Sequence, residues 1–123
     1  MDMDNVSLGK IGENLACEYL VKNGYRVLER NYRTKWDEID IIAIAKDKTL
    51  VFVEVKTLRV LPDSLTPEDN LTVVKRRKIS RACQLFAAQK SELIKEDKGW
   101  RIDLIAISVK EDGSHEVRYY MNI

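Results

Sequence analysis

Apolar residues recur at Leu8, Ile11, Leu15 and Tyr19, the three-and-four spacing of an amphipathic helix; Ser7 is available to cap its start, and Gly24 to end it after Lys22. The period then shortens to two. Tyr25 to Arg30 alternates like a short strand, Glu38 to Ala45 is a β-branched run that predicts a second strand, and Leu50 to Lys56 predicts a third. The polar turn Lys46 to Thr49 joins the last two as an antiparallel hairpin. Arg59 to Asn70 holds both prolines and reads as a loop. A second helix follows from about Leu71 to Lys90, with Ile79, Ala82 and Phe86 on its apolar stripe and Cys83 at the stripe's edge. Trp100 to Val109 is another buried strand, and Glu116 to Met121 a last one beyond the turn Asp112-Gly113. Helix, three strands, helix and one or two strands imply an α/β sheet with helices packed against it.

The third strand, LVFVEVK, contains a contradiction, because it is wholly apolar except for Glu54 and Lys56. Alternation puts those two on one face with Phe52, and Val51, Val53 and Val55 on the other. A charge taken out of water is costly unless it is paired or holds a metal, so a strand that keeps both has a use for them. An ordinary ion pair at a strand end is the plainer alternative. The same spacing recurs at Glu96 and Lys98, but in the polar run KEDKG, where a solvated turn accounts for it. In the second strand, alternation places Glu38, Asp40, Ile42 and Ile44 on one face, and Asp40 interrupts an apolar run as Glu54 does. Glu13 sits at the edge of the first helix's buried face, and helix geometry alone favours a surface glutamate there.

If the hairpin register sets Asp40 opposite Glu54 or Lys56, two carboxylates and an ammonium converge at one end of the sheet. Magnesium and manganese take such a set: one or two carboxylates, a main-chain carbonyl (here that of Val55), waters and a substrate phosphate. Lys56 would orient the attacking hydroxide or stabilise the transition state, and Glu13 would hold a second metal or an outer water.

Length and composition narrow the rest. With 123 residues the chain is expected to form one domain, residues 1–123. No segment approaches a membrane span, and the start MDMDN lacks the basic and apolar parts of a secretory signal, so the expectation is a cytoplasmic protein with no membrane partner. Cys17 and Cys83 have no ligand-like spacing and read as small core residues. A lone histidine, His115, in the polar run EDGSHE argues against histidine-rich metal sites and acyl-transfer triads, and reads as an exposed turn or strand start. The net charge of +1 conceals KRRKISR, in which Lys75, Arg76, Arg77, Lys78 and Arg81 supply five cations in seven residues. That run is either a phosphate-binding face or a solvated helix surface. Lys75 falls on the helix's apolar stripe, where it either points past the core toward a site or snorkels to water.

Asp40, followed by Glu54-Val55-Lys56 on the next strand, resembles the PD-(D/E)xK pattern of restriction-endonuclease-like nucleases. The likeness extends through Gly12-Glu13 with Ala16 and Tyr19-Leu20, Gly24-Tyr25, Arg30-Asn31, Glu38-Ile39-Asp40-Ile41-Ile42-Ala43, Val51 to Lys56, Lys75 to Ile79 and Arg101-Ile102-Asp103. Together these resemble the YraN-like family of uncharacterised bacterial proteins and, more distantly, archaeal Holliday-junction resolvases. The resemblance implies a restriction-endonuclease-like αβββαβ core with a mixed central sheet, and metal ligands at Asp40 and Glu54. It also implies a catalytic lysine at Lys56 and an accessory acid at Glu13. The activity implied is magnesium- or manganese-dependent phosphodiester hydrolysis, with DNA ahead of RNA as substrate and repair, recombination or end processing as settings. Many enzymes of that fold pair up, which leaves a homodimer open. A nucleic-acid-binding protein of the same fold with little catalysis is the alternative. One departure stands out: the family usually has glycine where this chain has Asp37, at the start of the second strand.

Overall fold

Chain order is also sheet order. The strands β1 (Arg26–Arg33), β2 (Glu38–Ile44), β3 (Leu50–Arg59), β4 (Trp100–Val109) and β5 (His115–Tyr120) lie side by side in one sheet. Neighbours are antiparallel except β3 and β4, which run parallel because the helix α2 (Val73–Gln89) carries the chain between them. With α1 (Asn5–Lys22) ahead of β1, this is a mixed α/β sheet with the restriction-endonuclease-like αβββαβ order, extended by β5. The structure is a computed structural model that describes residues 5–35, 37–60, 73–95 and 97–123, with 5, 6 and 73–78 described by backbone alone.

Each helix covers one face of the sheet. On the first, Ala16 and Leu20 of α1 pack on Ile41, Ala43, Val51, Val53, Ile105 and Ile107. On the second, Ile79, Ala82, Cys83 and Phe86 of α2 pack on Ile42, Leu50 and Phe52. Strands buried on both faces are expected to be near-continuous in apolar residues, and β2 and β3 are. Among the described residues no helix is long and apolar enough to cross a membrane.

The buried ridge of α1 is Leu8, Gly12, Ala16 and Leu20, rotated from the predicted stripe, and Ile11 is left 39% exposed. Apolar periodicity weights bulky side chains, whereas this contact selects small ones that let the backbones approach. A Cβ added at Gly12 would overlap the Thr57 hydroxyl of β3. Ser7 lies inside the helix, which already begins at Asn5, and so does not cap its start. The helix ends as expected at Gly24, whose positive φ of 84° permits paired bonds from Gly24 N to Val21 O and from Tyr25 N to Leu20 O.

Two strands outrun their predicted ends. β1 continues to Arg33, and β3 to Arg59, because Thr57 to Arg59 pair with Ile107 to Val109 of β4. Polar side chains there hid a ladder that the parallel neighbour sustains.

Strict alternation also fails in β2. Ile41 and Ala43 face α1, Ile42 and Ile44 face α2, yet Ile39 joins the α2 side, so the pleat breaks at Asp40. The neighbouring β1 carries Asn31 in the left-handed region, φ 54°, at the same level. Asp40 therefore does not simply share the face of Ile42 and Ile44, as alternation had suggested.

Candidate functional site

Pairing of β2 with β3 ends at Ile41 and Val53, and one further step would bring Asp40 opposite Glu54. Beyond the last pair the Val55 amide has no β2 carbonyl to meet, and it donates instead to Asp40 Oδ2 at 2.8 Å. In an antiparallel ladder the N–H and C=O of one residue leave the strand on the same edge, so the Val55 carbonyl emerges beside Asp40. The Asp40 carboxyl lies close enough to Glu54 for the two acids to act on each other. Lys56, two residues along β3, places Nζ 3.3 Å from Glu54 Oε1. Glu54 is 5% exposed, and alternation along β3 has set both charged side chains on one face as predicted.

Burial, and then the charge of Glu54, push the Asp40 carboxyl up to about 8, against the opposing bond from the Val55 amide. Two neighbouring buried acids favour keeping one proton over carrying two full charges. A hard divalent cation taking oxygens from Asp40, Glu54 and the Val55 carbonyl would replace a proton held there. Among the described residues no three His, Cys, Asp or Glu side chains gather around a single cation position. Such a cation would draw its remaining oxygens from water or substrate, which is how magnesium is usually held.

Glu13 reaches inward from α1 with its side chain 15% exposed, more buried than helix geometry alone had indicated. Two donors fix it: Arg30 Nε at 3.1 Å and Asn31 Nδ2 at 3.0 Å. The left-handed Asn31 turns its amide toward α1 for this purpose, and Arg30 also donates to Asn14 Oδ1 at 2.7 Å. Glu13 lies close enough for its charge to raise Asp40 further.

These groups line a cleft of about 740 Å³ between α1 and the ends of β1 and β3, which Glu13, Asp40, Val55 and Lys56 share with Lys10, Arg30 and Arg33. Lys10 and Arg33 were not singled out in the sequence, and Arg30 only as part of the family likeness. Lys10 is one turn before Glu13 on α1, Arg30 ends the predicted first strand, and Arg33 lies in the part of β1 that the prediction left out. Of the basic run, Arg81 is exposed on α2, while the side chains of Lys75, Arg76, Arg77 and Lys78 lie outside the described residues. Asp37 does not line the cleft: one carboxylate oxygen accepts from the Glu38 amide at 2.8 Å, and the other is buried without a hydrogen-bond partner among the described residues. His115 is an exposed first residue of β5, and both cysteines are free.

The fold and this cleft define a restriction-endonuclease-like α/β protein. The chain belongs to the uncharacterised protein family UPF0102, whose profile matches residues 12–107, a span that contains Glu13, Asp40, Glu54 and Lys56. Relatives described as UPF0102 protein include one from Pelobacter propionicus, 38% identical over 120 residues and covering 97% of this chain and 83% of the relative. Another, from Caldicellulosiruptor bescii, is 39% identical over 115 residues, covering 94% and 92%. A third, from Thermotoga neapolitana, is 49% identical over 81 residues, covering 66% and 72%.

Proposed function

We propose that this protein is a metal-dependent nuclease that hydrolyses phosphodiester bonds of DNA in the cytoplasm. The observation that carries the reading is the closeness of Asp40, Glu54 and Lys56, with Asp40 and Lys56 lining a cleft walled by Lys10, Arg30 and Arg33. Magnesium or manganese, held by Asp40, Glu54 and the Val55 carbonyl, would supply Lewis acidity at the scissile phosphate and make a water acidic enough to attack at neutral pH. In the reaction an oxygen of water bonds to phosphorus, the bond from phosphorus to one ester oxygen breaks, and the leaving oxygen takes a proton.

The chain's own groups divide this work. Lys56 carries its ammonium on the cleft side of β3, where it steadies the negative charge that builds on the phosphate oxygens. Glu54 holds that ammonium in place through the 3.3 Å contact. Glu13, fixed by Arg30 and Asn31, orients water at the α1 wall. Lys10, Arg30 and Arg33 pair with backbone phosphates, as would the basic start of α2 at Lys75, Arg76, Arg77, Lys78 and Arg81; contacts of this type position a nucleic acid without reading its sequence.

Supercoiled, single-stranded and branched DNA incubated with the purified protein in magnesium or manganese tests the reading. Cleavage is expected to fall at least about a hundredfold in Lys56→Ala while DNA binding persists. Binding without cleavage by the native chain in every metal and substrate would instead identify a nucleic-acid-binding protein of nuclease-like fold.

A further inference from the structure

The opposite end of the sheet carries a second cleft, of about 480 Å³, between the C-terminal end of α1, the hairpin joining β2 to β3, and residues 92–95 beyond α2. Arg26, Lys46, Lys48 and Lys95 line it together with one carboxylate, Glu92. Four cations against one acid is a strong local excess in a chain where 21 basic and 20 acidic residues otherwise nearly balance. All four are exposed, and among the described residues none lies within ion-pairing distance of a carboxylate. Arg30, Arg33, Lys56, Arg101 and Arg118 are, by contrast, all paired.

Gathering like charges without counter-charges is unfavourable, and the local structure holds them there nonetheless. The stem of Lys46 lies over Gly24, where an added Cβ would stand 3.2 Å from Lys46 Cδ. Lys48 adopts a φ of 78°, a region that favours glycine or asparagine, and its amide is bonded to Ala45 O at 2.9 Å. The hairpin's own acid, Asp47, is turned onto the Thr49 amide at 3.0 Å and does not line the cleft.

The two clefts share one strand. β1 forms a free edge of the sheet; its Arg30 and Arg33 line the first cleft and its Arg26 the second. From Asp40 along β2 to Ile44 and on to Lys46 in the hairpin turn, the separation is at most about 20 Å at the usual strand rise. One strand of a DNA duplex covers that distance in about six base pairs at 3.4 Å each.

We propose that this second cleft grips the phosphate backbone of duplex DNA about six base pairs from the scissile bond, with the duplex running along the β1 edge between the two clefts. This proposal rests on the nuclease reading for the position of the scissile bond, though not for the binding of DNA. Phosphates are favoured over an acidic polypeptide because the cations are spread over three chain segments, with β1 arginines continuing the track toward the first cleft.

Fluorescence anisotropy with duplexes of 6 and 20 base pairs, measured across a salt series, tests it. In the triple variant Lys46→Glu, Lys48→Glu, Lys95→Glu, affinity for the longer duplex should fall roughly tenfold or more, and the slope of log K against log salt should flatten by about 2.7. Lys46→Gln, Lys48→Gln, Lys95→Gln, which removes charge without reversing it, should flatten the slope equally, and a melting curve checks that both variants fold. The 6-base-pair duplex, too short to engage both clefts in full, should show a smaller change in slope. An unchanged slope for the long duplex overturns the second cleft and leaves the nuclease reading standing. A flattened slope in a protein that never cleaves supports the cleft and removes catalysis. Loss of polyglutamate binding with DNA binding intact would assign the cleft to an acidic polypeptide and overturn the proposal, as would a native protein that binds no duplex.

Discussion

Glu54 and Asp103 are both buried acids on neighbouring parallel strands, and both stand two residues from a cation in an otherwise apolar run. Their surroundings differ in one respect that separates structure from chemistry. Asp103, fully buried, accepts from Arg101 Nε at 3.1 Å on each oxygen, from the Tyr119 hydroxyl and from the Asn122 amide at 2.9 Å. Arg101 goes on to bond the Tyr25 hydroxyl at 2.9 Å, and Tyr119 packs against Tyr19 and Tyr25. One negative charge meets one positive charge, every lone pair that matters has a donor, and the cluster ties α1, β4 and β5 together. Glu54 instead faces a second acid, Asp40, with Lys56 against its other side and a cleft alongside Asp40 and Lys56. A satisfied charge pair needs nothing more, whereas two buried acids side by side favour a proton or a cation over two bare charges.

The largest expected effect breaks the satisfied side. Asp103→Asn leaves the half-buried Arg101 without its counter-charge and should cost about 3 kcal/mol, read as a lower urea midpoint. Asp40→Asn should act in the opposite direction. The folded Asp40 holds its proton up to about 8, far above its ordinary value, so its contribution to stability is complete below about pH 4 and is lost as pH rises toward 8. Removing the acid should flatten that decline and, at pH 8, gain on the order of 2 kcal/mol, measured by denaturation at several pH values. Equal losses in the two variants would erase the distinction between the clusters.

Smaller effects sharpen it. Gly12→Ala forces a methyl group into the Thr57 hydroxyl and should cost about 1–3 kcal/mol, with part of the loss recovered in combination with Thr57→Ala. Tyr119→Phe removes one donor from Asp103 and should cost about 1 kcal/mol, detectable as a small drop in Tm without any change in divalent-cation binding. A change in cation affinity in Tyr119→Phe would mean that the two clusters are coupled across the sheet.

The legible part of this molecule is what period and composition encode locally. The face shared by Glu54 and Lys56 follows from the two-residue repeat, and the α/β order follows from the alternation of periods. Local pattern could not tell the two acid–cation pairs apart: Arg101-Ile102-Asp103 breaks its apolar strand in the same way as Glu54-Val55-Lys56, but its partners Tyr25, Tyr119 and Asn122 are remote in the chain. The pleat break at Asp40 depends on where β2 parts from β3 and on the left-handed Asn31 next door, and neither leaves a mark on the apolar run EIDIIAIA. Glu13 looked exposed because its anchors, Arg30 and Asn31, come from another element. Close approach at Gly12 was hidden for a similar reason, since a small residue scores as no signal until its neighbour is known.

Calorimetric titration of manganese into the native protein and Asp40→Asn, repeated in buffers of different ionisation enthalpy, addresses the acid pair most directly. Near pH 7 the native chain should bind the ion with release of about one proton, more tightly as pH rises toward 8, and the variant should lose both the affinity and the proton. Equal affinity in the two proteins, or binding with no proton released, would contradict the assignment of Asp40 and Glu54 as the pair that gives up its proton to a cation.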